Sequence, residues 1–110
     1  MSHRDHERAE EWRSLRLCRQ VEESLCIALA GCGDEILASM GVESVVPAPD
    51  AGHLLVTVSF SVRPIPDPVE ALGRLHRATG WLREQVAGAI SRKRVPELAF
   101  RFASPEEAGA

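Results

Sequence analysis

Tyrosine is absent from this 110-residue chain, and aromatic side chains make up only 5% of it. That leaves few rings for stacking on nucleic-acid bases, since most of the aromatics present are needed in a core. Cysteine is scarce: Cys18, Cys26 and Cys32. An odd number excludes a fully paired disulfide framework, and the spacing holds no Cys-x-x-Cys pair of the zinc-binding kind. No run of 18 apolar residues occurs, so no membrane-spanning helix is expected. The opening MSHRDHERAEEW is charged and lacks the apolar centre of a signal peptide, which points to a cytoplasmic protein. Excess positive charge is also missing, the net charge being −3. His53 and His76 have no serine or carboxylate partner at a local spacing that suggests catalysis. A Cys32/His53 nucleophile pair, or a metal set of Cys18, Cys32 and His53, has no supporting pattern. No catalytic residue, metal or cofactor is expected. Free cysteines on a helix act as small hydrophobes, and Cys18 and Cys26 are read in that way.

What is present is an uneven distribution of charge. Residues 1–69 carry six Lys/Arg against eleven Asp/Glu, whereas residues 70–102 carry seven against three. A basic face on an otherwise acidic body follows, and such a face suits an anionic partner. The length and 45% apolar content allow one domain with a modest core. The expected division is a flexible arm over 1–12, a domain over 13–103 and a short tail over 104–110.

Leu15, Cys18, Val21, Leu25, Cys26 and Leu29 recur at helical spacing and predict a helix over about Glu10 to Ala30, with Gly31 and Gly33 able to end it. Asp34 to Ser39 adds a short turn with Ile36 and Leu37 inward. Val42–Val46 and Leu54–Val62 read as strands of an antiparallel hairpin around Pro47-Ala48-Pro49-Asp50-Ala51-Gly52. In the second strand Leu54, Val56, Val58, Phe60 and Val62 alternate with mostly polar residues, so one sheet face is covered. Asp67-Pro68-Val69-Glu70 is a helix start: a capping carboxylate, proline at the first position and a glutamate in the first turn. Val69, Leu72, Leu75 and Ala78 mark one apolar stripe. Gly80 interrupts it, and Trp81, Leu82, Gln85, Val86, Ala89 and Ile90 mark a second. Trp81 is read as packing at the joint. Pro96 bars further helix, and Leu98, Phe100 and Phe102 form a last strand. The order helix–strand–strand–helix–helix–strand suits an α+β fold with three helices on one face of a three-stranded sheet.

The joint Ala78-Thr79-Gly80, the basic turn after it, Val95-Pro96-Glu97-Leu98 beginning sixteen residues beyond Thr79, and the Phe100/Phe102 strand together resemble the bacterial ribosome-binding factor A family. Arg16-Leu17-Cys18-Arg19-Gln20-Val21-Glu22 is similar to that family's first helix, and the hairpin matches more loosely. The resemblance implies a type II KH-like fold, in which an Ala-x-Gly helix kink stands where RNA-binding relatives carry a Gly-x-x-Gly loop. It also implies a monomeric cytoplasmic assembly factor that binds the small ribosomal subunit and its rRNA during maturation. Such factors assist processing of the rRNA 5′ end and act in cold adaptation.

The candidate RNA-binding residues are Arg74, Arg77, Ala78, Thr79, Gly80, Arg83, Arg92, Lys93 and Arg94. RNA binding requires a cationic surface that tracks phosphates, and arginines around the joint and in the turn would supply it. Arg74 and Arg77, three apart, share a helix side. Gly80 would let a phosphate approach the backbone, and a helix N-terminus starting there would attract an anion. Arg92-Lys93-Arg94 also complements the negative end of a helix dipole, a structural reason for its presence. A second reading stays open: a KH-like protein-interaction module, without direct RNA binding, whose acidic first half docks on a basic protein.

Overall fold

The computed structural model describes residues 3–91 and 93–103. The long helix α1 (His3–Gly31) and the short α2 (Glu35–Ala38) lead into a hairpin of β1 (Met40–Pro47) and β2 (His53–Phe60). Helix α3 (Pro68–Ala89) then crosses over to β3 (Glu97–Phe102). β2 is the central strand, antiparallel to β1 and parallel to β3. The result is the expected α+β class, with three helices and a three-stranded mixed sheet.

The β1–β2 register runs from Met40 opposite Phe60 to Pro47 opposite Leu54, with an irregularity between Val42 and Ser44. Glu43 sits at that bulge, and its carboxylate accepts a hydrogen bond from the Ser59 hydroxyl. At the hairpin tip the Asp50 carboxylate accepts from the Gly52 amide at 2.9 Å, an Asx-type turn. The parallel β2–β3 pairing sets Leu54 beside Leu98, Val56 beside Phe100 and Val58 beside Phe102. All six therefore share one sheet face, as the alternation requires. Val21, Leu25 and Leu29 of α1 and Leu75, Leu82 and Val86 of α3 are buried against Leu54, Val56 and Val58. On the opposite face Ala99 and Val46 are exposed. Thr57 is nonetheless buried there, its hydroxyl accepting from the Arg101 guanidinium at 3.1 Å.

Three departures from the sequence reading have clear causes. Helix α1 begins at His3, well before Glu10; alanine, arginine and glutamate in that segment favour helix even without an apolar stripe. Its buried stripe is Leu17, Cys18, Val21, Leu25, Ala28 and Leu29, so Leu15 and Cys26 stand exposed rather than packed. The most consequential difference is α3, a single 22-residue helix that runs through Gly80. Ala71, Leu75, Leu82 and Val86 are buried and Ala78 packs beside them. Their spacing of four, three, four and four residues keeps one stripe in phase across the glycine. A glycine costs a helix about 1 kcal/mol, too little to break one anchored on both sides. Four residues assigned to the stripes turn outward: Val69 and Trp81, 79% and 40% exposed, and also Gln85 and Ala89. The third helix of the fold is thus α2, in the segment read as a short turn, with Leu37 buried as expected.

Candidate nucleic-acid interface

The start of α3 is set by Asp67, whose carboxylate accepts from the Val69 amide at 3.0 Å with Pro68 in the first turn. Two turns on, the guanidinium of Arg74 reaches Asp34 at 2.9 Å and Glu70 at 3.0 Å. Asp34 also caps α2, accepting from the amides of Ile36 and Leu37. The Leu37 amide, then the Arg74 guanidinium, hold the Asp34 carboxyl below its usual range against the effect of partial burial. Reciprocally, Asp34 and then Glu70 raise the Arg74 pKa further above its ordinary value. Arg74 is therefore a clamp between α2 and α3, its guanidinium already paired with two carboxylates.

Arg83 is committed in the same way. Its Nε donates to the Pro96 carbonyl at 3.1 Å and a terminal nitrogen donates to the Val95 carbonyl at 2.9 Å. Glu97 lies 3.4 Å from the same nitrogen. The side chain ties α3 to the start of β3 and so fixes the C-terminal side of the basic turn.

Within Ala78-Thr79-Gly80 only the glycine lies on the outward surface. Ala78 packs on the core, and the Thr79 hydroxyl donates to the Leu75 carbonyl at 2.8 Å. Because α3 is continuous, no helix N-terminus opens at Gly80, and the anion site expected there does not form. A Cβ added at Gly80 would meet nothing within 4 Å, so the helix surface is bare at this point. Arg77, one turn earlier, is exposed and makes no ion pair with any described residue. Lys93 and Arg94 are exposed and unpaired in the same sense; Arg92 lies outside the described residues. Arg77 and the end of α3 stand ~20 Å apart along the helix axis, at 1.5 Å per residue. Among the described residues the structure brings together Arg77 with Gly80, and Lys93 with Arg94, but does not gather the candidates into one cluster.

Three arginines of α1, Arg13, Arg16 and Arg19, are exposed and unpaired with any described residue, and the sequence reading left them out of the site. Arg13 and Arg16 of α1 line an open groove of about 820 Å³, together with Pro47, Asp50 and Ser91. Ser91 directly precedes the basic turn. The available signal for Arg16 and Arg19 is the segment Arg16-Leu17-Cys18-Arg19, similar to the family's first helix; no motif marks Arg13. Among the described residues no group of three or more His, Cys, Asp or Glu could hold a metal ion. No helix there is long and apolar enough to cross a membrane. Burial, then the Glu22 charge, pushes the Cys18 thiol up, consistent with a packing role.

A solved structure of ribosome-binding factor A from Thermus thermophilus matches this fold with a TM-score of 0.69 and 26% identity, over 80% of this chain and 93% of that one. The chain is structurally similar to ribosome-binding factor A. A Thermotoga maritima protein described as a putative ribosome-binding factor A matches with a TM-score of 0.66 and 25% identity, over 79% of this chain and 83% of that one. A homology model of the Thermus thermophilus factor, fitted into a cryo-electron microscopy map of its 30S complex, gives 0.62 and 26% over 76% and 87%. No protein-family model matches the sequence, and no curated protein does. Likeness to ribosome-binding factor A therefore rests on the fold, supported by the motif between Ala78 and Phe102.

Proposed function

We propose that this chain is a ribosome assembly factor of the ribosome-binding factor A type, which binds the small ribosomal subunit through its rRNA and acts without catalysis. The observation that carries the reading is the structural likeness across about 80% of the chain to proteins of that name, one of them fitted into a 30S complex. On that footing the protein works as a cytoplasmic monomer during maturation of the subunit, assists rRNA 5′-end processing, and matters most in the cold.

The contacts are assigned to Arg77 with Gly80, and to the turn at Lys93 and Arg94. Charge without a protein partner is what phosphates require. Arg74 and Arg83 support this surface from within. The mixture of free and committed arginines explains how an acidic chain can still present anion-binding points.

Co-sedimentation with purified small and large subunits at low and moderate salt tests the reading. Binding to the small subunit alone is expected, weakening as salt rises. The double variant Lys93→Glu/Arg94→Glu, and separately Arg77→Glu, should each lower binding while leaving thermal unfolding unchanged. Reversal of Arg83 would confuse the two effects, because it also removes the anchor of the turn. Absence of association at low salt, including with immature small subunits, would sink the ribosomal role.

A further inference from the structure

The outward face of α1 carries a feature that the surface on α3 does not use. Trp12 is 73% exposed, the most exposed aromatic of the described residues. At 100° per residue Arg16 and Arg19, four and seven positions on, stand on the same outward face. Arg13 flanks them, and Leu15 lies beside Trp12. None of the three arginines is paired with a described residue. Glu11 is rotated away from this line, and Glu23 closes it one turn beyond Arg19. Trp12, Arg13, Leu15, Arg16 and Arg19 line an open groove of about 830 Å³ with Val45 of β1, and Glu22 and Glu23 border its far end. Arg13 and Arg16 also border the groove that leads past Asp50 to Ser91 and the basic turn. Asp50 does not dominate that passage: its carboxylate is engaged by the Gly52 amide and, at 3.1 Å, by His53 Nδ1.

We infer that this face is a binding platform for a short single-stranded RNA segment, with one base stacked on Trp12 and phosphates held by Arg16, Arg19 and Arg13. An exposed indole with unpaired guanidinium groups along the same helix face offers the two things single strands require, a π-face and a cationic track. Trp12 and Arg19 are ~10 Å apart along the helix, room for about three nucleotides at 3.4 Å each. A protein partner would be served by a continuous apolar patch; here the apolar surface is limited to Trp12 and Leu15 and is interleaved with charge. The inference rests on the rRNA-binding reading for its biological setting, but its chemistry is independent of the contacts on α3.

The test uses the full chain carrying Trp81→Phe, so that Trp12 is the sole tryptophan, titrated with a twelve-residue oligouridylate. Saturable quenching of Trp12 emission is expected, with affinity falling steeply with salt. Trp12→Ala, followed with an end-labelled oligonucleotide, and Arg16→Glu/Arg19→Glu should each weaken binding about tenfold or more. Lys93→Glu/Arg94→Glu should weaken it far less. Circular dichroism melts confirm that these exposed substitutions leave the fold intact. Affinity unchanged in Trp12→Ala and in Arg16→Glu/Arg19→Glu, or no quenching at all, would overturn the platform. So would a loss of small-subunit binding in Trp12→Ala with oligonucleotide binding intact, since the face would then take a protein. If the unmodified chain fails to co-sediment with small subunits while Trp12-dependent quenching persists, the ribosomal reading falls and the platform stands.

Discussion

Asp34 and Arg74 show how much a single ion pair organises when its members also cap and cross elements. The pair lies forty residues apart in sequence, and Asp34 bonds two α2 amides besides. Its folded pKa is depressed, so the ionised form is favoured by folding. The stabilisation is complete above about pH 4, the ordinary carboxylate value, and is lost as pH falls through the lower folded value. Asp34→Asn should therefore flatten the acid limb of a stability–pH profile followed by urea unfolding. Asp34→Ala should cost about 1 kcal/mol at neutral pH through the lost cap. Arg83 makes a second prediction at this scale. Arg83→Ala removes two bonds to backbone carbonyls at a one-third exposed site, and should destabilise the chain by about 1–2 kcal/mol. Amide exchange should accelerate most in residues 93–97. Both arginines read as RNA ligands from sequence because basic residues near a glycine joint have that appearance. Their carboxylate and carbonyl partners are supplied by tertiary packing, which no local spacing discloses.

Helix α3 joins the proposed interface to the core, and Gly80 is where the two demands meet. Its position is helical, and nothing crowds an added Cβ. Gly80→Ala should thus stabilise the protein by up to about 1 kcal/mol in thermal or urea unfolding. If a phosphate approaches the backbone there, the same change should weaken small-subunit binding. Gly88→Ala is the control: its site is equally open, so it should leave binding alone. At this scale the strands were the most legible part of the sequence. β2 alternates because one face is covered, and period two admits only that arrangement. The helix phases were less legible. In α1 both the Leu15/Cys26 and the Leu17/Ala28 choices extend Cys18, Val21, Leu25 and Leu29 at helical spacing; the direction of the sheet beneath decides between them. In α3 the small buried Ala71 carries the stripe that the larger Val69 was expected to carry.

Taken whole, the molecule has one core layer between two helices and a sheet, so a central residue touches both. Leu75 is fully buried there. Leu75→Ala should destabilise by about 2–5 kcal/mol, out of the roughly 5–15 expected of a domain this size. Its urea midpoint should fall while the slope stays constant. The fold class was legible because hydrophobic pattern and turn chemistry agree along the chain. The candidate interface was only partly so, since clustering in sequence did not become clustering in space among the described residues: Arg77 and the basic turn at Lys93 and Arg94 occupy separate stretches of one long helix and its exit. The position of β2 has a consequence for how the protein is made. Its two neighbours in the sheet differ greatly in sequence distance: β1 pairs across a tight hairpin, whereas His53 meets Glu97, 44 residues later. On an elongating polypeptide the hairpin can close early, leaving one flank of β2 as an unsatisfied template until residues 97–102 are synthesised. Such a high-contact-order closure is slow relative to helix formation. Completion of the native state is thereby deferred to the end of translation of this segment, and the nascent hairpin is the species most exposed to adventitious strand pairing.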